Sequence, residues 1–302
     1  MAVQNLSSLL ASWLLSAMLL ATLSFSASAL DPIVTQEPMQ GVPPARESQV
    51  TMQNYREYPM NKWAFRNAGA PLNIVMIPRA GTIFPLPGPS KPALGQRLFT
   101  TAQGQQQSFD DLFESNYADG VVVMKGNRLV YEKYFHGFHA DAQHIWFSMS
   151  KSMASSAFGL LVAKGKVDLN ASPADYIPEL KGSGFERVTI QHVLDHATAI
   201  DFKETYTDFT SDFALKYAPA MNMGYLPGAK DAQPSNTKIL GVHDFLAHYI
   251  KPDLSIEPGS NFDYNSTNAD LLGWLIARIS GQPDEEFLQK NIWGLYLIHF
   301  KK

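Results

Sequence analysis

Ser148-Met-Ser-Lys151 places a hydroxyl and an ammonium three residues apart. On a helix that spacing puts both groups on one face. A serine in the first turn also lies where unpaired N–H groups favour a developing oxyanion. An amine relieved of its proton by burial next to such a serine takes the hydroxyl proton and yields a nucleophile for an acyl carbonyl. The tetrapeptide is a weak signal by itself, because 24 serines and 16 lysines among 302 residues give about one match by chance. A second copy, Ser235-Asn-Thr-Lys238, supplies the comparison: it follows Pro234, Asn236 and Thr237 are poor helix formers, and it reads as a loop.

Other titratable clusters read as structural. His192 and His196 are four apart, a spacing able to hold a metal, but no suitably placed glutamate accompanies them. His136, His139 and His144 lack one as well, and His243 and His248 are five apart and share a face poorly. No metal or cofactor is expected. With no cysteine, thiolate and iron–sulfur chemistry are excluded. The net charge of -4 is spread without a basic block, which argues against a nucleic-acid partner.

Elements must bring the reactive groups together. Met149, Met153, Phe158, Leu161 and Val162 recur at helical spacing from Ser148 until Gly165, so a helix begins at the serine. Before it, Val121–Met124 and Leu129–Phe135 read as strands joined by Lys125-Gly126-Asn127, where Gly126 and Asn127 accept positive φ. The first run is apolar throughout and is expected inside a sheet covered on both faces. Ser108 caps a short helix, Thr189 opens another to about His196, and Val242–Ile250 and Asn268–Ile279 read as two more. In the last, Leu271, Leu272, Leu275, Ile276 and Ile279 form one stripe. Strands followed by helices suggest an α+β arrangement.

Three regions divide the chain. Residues 1–29 carry no charged side chain, an apolar run Leu9–Leu23 and the ending Ala27-Ser28-Ala29, which together read as a cleaved secretory signal. The expected location is therefore periplasmic or secreted, with no membrane contact after cleavage. Residues 30–107 hold most of the chain's prolines up to Pro92, and Tyr55, Tyr58, Trp63 and Phe65 as well. They read as an irregular extension packed on the main domain. Residues 108–302 read as the main domain, which carries Ser148 and Lys151.

Phe262-Asp-Tyr264-Asn-Ser266, placed ahead of the Leu271 helix, resembles the tyrosine motif of the serine β-lactamase-like superfamily. The flanking text agrees: Tyr134-Phe-His-Gly137, Ala163–Leu169, Tyr176–Leu180, Val188–Leu194 and Pro258–Phe262. Trp63-Ala-Phe65 and Phe202–Tyr206 bring the likeness closest to the branch of 6-aminohexanoate-dimer hydrolases and β-lactamase-like esterases. The resemblance implies an antiparallel sheet flanked by helices plus an all-α subdomain. It implies Ser148 as nucleophile, Lys151 as activating base and Tyr264 as proton shuttle, with a small-molecule amide or ester substrate. Ser266 stands where the β-lactamases proper have asparagine; it reads as a substrate contact or a helix cap, and it disfavours the alternative of a β-lactamase or D-alanyl-D-alanine carboxypeptidase. After Asn291-Ile-Trp-Gly294 the family pattern breaks off, and the third motif with it. The C-terminal part of the domain is thus expected to be missing. Losing an oxyanion donor there costs about a hundredfold in rate, so a weak or inactive family member is the other reading.

Overall fold

Eleven prolines between Leu30 and Pro92 leave little room for regular structure in the extension. The computed structural model describes residues 37–71, 74, 75, 77, 84–221, 223, 239–294 and 298–299, so residues 1–29, expected to be a signal, and the Ser235–Lys238 copy lie outside the described residues. Within the extension, α1 (Met60–Ala64) is a single turn, and β1 (Leu98–Thr100) pairs antiparallel with β2 (Gln106–Ser108). Phe84–Pro85 pairs in parallel with Ile298–His299.

Apolar and charged groups tie the extension to the main domain. Tyr55, Met60 and Ala64 are buried, whereas Ile74 and Val75 are exposed. The Phe65 carbonyl accepts the Ile145 N–H at 2.8 Å. Arg66 forms an ion pair with Asp119 and donates Nη1–H to the His136 carbonyl at 2.8 Å.

Ser108 opens α2 (Phe109–Ser115) with a reciprocal capping box to Asp111. The hairpin comes next as β3 (Gly120–Lys125) and β4 (Arg128–Tyr134), antiparallel with Lys125 opposite Arg128. Gly126-Asn127 forms the turn, and of the two only Gly126 takes a positive φ, +59°. The expectation of a doubly covered strand is corrected here. Val122, Val123 and Met124 are 37%, 42% and 39% exposed. Among the described residues β4 is the only ladder partner of β3, and the exposure of three consecutive side chains shows that neither face is fully covered. The far edge of β4 is covered by the extension, where Leu129 N–H donates to Pro87 O at 2.8 Å and Lys91 N–H to Val130 O at 2.9 Å.

The helices carry the core. α3 (Met149–Ala163) ends before Gly165, whose φ of +66° breaks the helix. Phe158 and Leu161 are buried, but Met149 is 60% exposed, because it stands at the helix mouth ahead of the packed face. α4 (Ile190–Leu194) is capped by Thr189. Val242–Asp244 starts as α-helix and widens into a π-type segment over Phe245–Tyr249. α5 (Ser266–Ser280) stops at Gly281, φ +71°, and α6 (Asp284–Leu288) comes after it.

The expected stripe on α5 is the centre of the core: Leu271, Leu272, Leu275 and Ile276 are all buried. They pack with Phe158, Phe185, Ile190 and Phe245, and α3 lies against α5 and α6. Each such side chain contributes about 1.5–3 kcal/mol by leaving water. The architecture is mixed helix and sheet, as the sequence implied, with the core on the helical side and the hairpin packed beside it.

Candidate active site

Two helix starts and one long contact between them build the site. Ser148 is the residue preceding α3, with helical φ -66° and ψ -9°, and its side chain makes no capping hydrogen bond. The hydroxyl is thereby left for other partners. Lys151 Nζ donates to Ser148 Oγ at 3.1 Å, and Tyr264 Oη donates to the same oxygen at 2.9 Å across 116 positions of chain. Lys151 Nζ also lies 5.3 Å from the centre of the Tyr264 ring. The three residues read from sequence thus converge on one oxygen. They do so at an accessible surface, since Ser148 is exposed and Tyr264 is 41% exposed.

The turn into α3 is held from the extension. Phe147, directly ahead of the serine, adopts φ +45°, a left-handed conformation that is costly for an aromatic residue. Its ring packs edge-on against Phe65 at 5.0 Å and 81°. Together with the Ile145–Phe65 backbone bond, this contact fixes the segment that aims Ser148.

Tyr264 is positioned by His196, a residue whose spacing in the sequence reads as merely structural. Its imidazole stacks on the Tyr264 ring at 5.3 Å with 4° between planes. Its Nδ1 accepts the Asn265 N–H at 3.1 Å, and its carbonyl accepts the Asp263 N–H at 2.7 Å. Burial lowers the His196 pKa below the ordinary imidazole value, and the charge of Lys151 adds to that against Glu204 and Asp263.

Asn265 turns away from the cleft, as expected from its adjacency to Tyr264. It is the N-cap of α5, accepting the Thr267 N–H at 3.1 Å and donating to the Phe202 carbonyl at 2.9 Å. Ser266 is not the cap: its Oγ donates to Glu204 Oε1 at 2.9 Å and its N–H to Oε2 at 2.5 Å. Glu204 also accepts the Tyr206 phenol. One turn further along α5, Asp270 accepts the Tyr217 hydroxyl at 2.6 Å. Burial pushes the Asp270 carboxyl up to about 6, against the Tyr217 hydrogen bond and the charge of Lys151. Burial and the Asp270 carboxylate push the Tyr217 phenol up in turn. His196, Glu204 and Asp270 come from three separate stretches, and no local spacing links them to Ser148.

A helix-mouth serine facing a lysine and a tyrosine, mounted on this mixed fold, defines the class. A family model described as beta-lactamase matches residues 109–301, and the chain belongs to that family. The chain is 29% identical over 254 residues to the 6-aminohexanoate-dimer hydrolase of Paenarthrobacter ureafaciens, covering 83% of this chain and 59% of that protein. A solved structure from Bacillus anthracis, provisionally described as a 6-aminohexanoate-dimer hydrolase, superposes with a TM-score of 0.70 at 23% identity, covering 83% of this chain and 63% of the other. The chain therefore spans about three fifths of the length of these relatives.

Proposed function

We propose that the protein is a serine hydrolase that opens amide or ester bonds of small molecules through an acyl-enzyme. The observation that carries this reading is the pair of donors, Lys151 Nζ and Tyr264 Oη, meeting on Ser148 Oγ. With Lys151 as the free amine, Ser148 Oγ adds to the carbonyl carbon while its proton passes to the Lys151 nitrogen. The N–H of Ser148 at the mouth of α3 stabilises the oxyanion. Collapse of the tetrahedral intermediate breaks the bond to the leaving group, and Tyr264 relays the proton that the departing amine or alcohol needs. Water then attacks the acyl-enzyme, the same groups return its proton to Ser148 Oγ, and the acid product leaves.

The name of the Paenarthrobacter relative, a hydrolase of an amide-linked dimer, supports amide or ester substrates over penicillins. The residue two positions after the tyrosine does too, because a serine, hydrogen-bonded to Glu204, stands there in place of the asparagine of the β-lactamases proper. A weakly active or inactive protein is the second reading, favoured by the exposure of Ser148. Export to the periplasm or medium completes the proposal, and N-terminal sequencing of protein recovered from outside the cytoplasm tests it by the expected start at Leu30.

Labelling with a fluorescent fluorophosphonate and with a fluorescent penicillin, using Ser148→Ala as the blank, separates the readings. Fluorophosphonate labelling alone supports an amide or ester hydrolase. Penicillin labelling supports the β-lactamase or carboxypeptidase alternative, and no labelling supports the inactive one.

A further inference from the structure

Among the described residues, His196 touches the chain on both sides of Tyr264. Its carbonyl holds the N–H of Asp263 and its Nδ1 holds the N–H of Asn265, while the ring lies flat against the phenol between them. The Asn268 side-chain amide approaches the same Nδ1 at 3.4 Å, and Asn268 is itself fixed by the Thr198 hydroxyl at 3.2 Å. His196 reaches this position only by leaving the helix after α4 with φ +52°. A left-handed histidine is uncommon, and here it turns the imidazole out of the helix line and under the tyrosine.

We propose that His196 is the positioning residue of the site: it grips residues 263–265 and serves as the plate that sets the Tyr264 hydroxyl at hydrogen-bonding distance from Ser148 Oγ. This rests on the hydrolase reading for its catalytic consequence, though the grip itself does not depend on it. An Nδ1 that accepts an N–H carries no proton, so the ring bears its proton on Nε2 and is neutral. Protonating it would turn Nδ1 from an acceptor into a donor aimed at the donor of Asn265, and the clamp would open. The charges that face the ring are Lys151 from α3, Glu204 from the loop before the π-type segment at 213–217, and Asp263 beside Tyr264; Asp263 is itself paired with Lys203 at 2.5 Å. Lys151 opposes protonation and the two carboxylates favour it, while burial sides with Lys151.

Three variants separate the functions of the ring. His196→Ala removes plate and acceptor. His196→Phe keeps a plate and removes the acceptor. His196→Asn restores an oxygen acceptor near the Nδ1 position and tolerates the left-handed backbone. The first readout is the rate of fluorophosphonate labelling of Ser148 from pH 5 to 8. Wild type is expected to slow on the acid side as the imidazole protonates, His196→Ala to lose about 100-fold, as for a misplacement of about 1 Å, and His196→Asn to recover part of that loss with the acid limb gone. The second readout, amide hydrogen exchange, needs no activity. At one fixed pH the Asn265 amide should exchange at least tenfold faster in His196→Ala and His196→Phe than in wild type, with Leu271 and Leu275 unchanged as a check on the fold. If wild type takes no label, the hydrolase reading falls and the exchange result alone decides the clamp. Equal protection of Asn265 in all variants, or a His196→Ala protein that labels at the wild-type rate with the wild-type pH profile, overturns the proposal.

Discussion

Replacing Tyr264 by phenylalanine deletes one oxygen and leaves the ring. The stack on His196 and the position beneath Lys151 depend on the ring face, so both survive the change. Tyr264 is 41% exposed, and among the described residues its hydroxyl meets a single side-chain partner, Ser148 Oγ. The fold should therefore lose no more than about 0.5 kcal/mol, the range of ordinary surface changes. Two roles for the hydroxyl then differ in size. A hydrogen bond that merely orients Ser148 is worth about 1 kcal/mol, close to fivefold in rate. A group that carries the leaving-group proton is worth about 10²- to 10⁴-fold. The assay compares an alkyl ester or amide, whose leaving group must be protonated, with an activated aryl ester, whose leaving group departs without a proton. Tyr264→Phe should slow the first by about 10²- to 10⁴-fold and the second far less, at unchanged melting temperature. A uniform loss of about fivefold or less on both substrates would refute the shuttle role and leave Tyr264 as an orienting contact.

Three further outcomes are expected. Phe65→Ala removes the edge-on contact that holds Phe147 at φ +45°, an interaction of about 0.5–1.5 kcal/mol, and should slow labelling of Ser148 about three- to tenfold while circular dichroism stays unchanged. Asp270 has a raised folded pKa of about 6, so the folded state binds the proton more tightly than the unfolded chain. Stability should fall as pH rises from about 4 to 6, and denaturant titrations of Asp270→Asn should show that slope gone and a gain of about 3 kcal/mol at pH 7. Gly259 has φ +85° and a Cβ there would sit 2.8 Å from His192 Nε2, so Gly259→Ala should lower stability by at least about 1 kcal/mol, read as a lower melting temperature.

The sequence discloses what is local. Ser148 and Lys151 are tied by helical spacing, and the α5 stripe of Leu271, Leu272, Leu275 and Ile276 is a periodic pattern, so both can be found without a fold. Tyr264 is reached by family resemblance alone, because 116 positions of chain separate it from the oxygen it touches. His196 looks like half of a metal pair on one helix face, but a left-handed φ takes it off that face, and no composition signal marks such a turn. Glu204 and Asp270 are invisible for a related reason: a carboxylate becomes part of a site only when folding brings Ser266 or Tyr217 to it. The apolar run in β3 misleads because periodicity reports what a strand is suited to meet, and among the described residues it pairs only with β4.

That last mismatch bears on how the protein behaves in a tube. The extension shields one side of the hairpin, while Val122, Val123 and Met124 ride on β3, whose only ladder partner among the described residues is β4. A row of unsatisfied main-chain groups next to oily side chains is a template for any passing chain in extended form. Preparations should therefore grow cloudy with concentration sooner than with heat, and a charged residue placed at Val123 should clear them without touching the chemistry at Ser148.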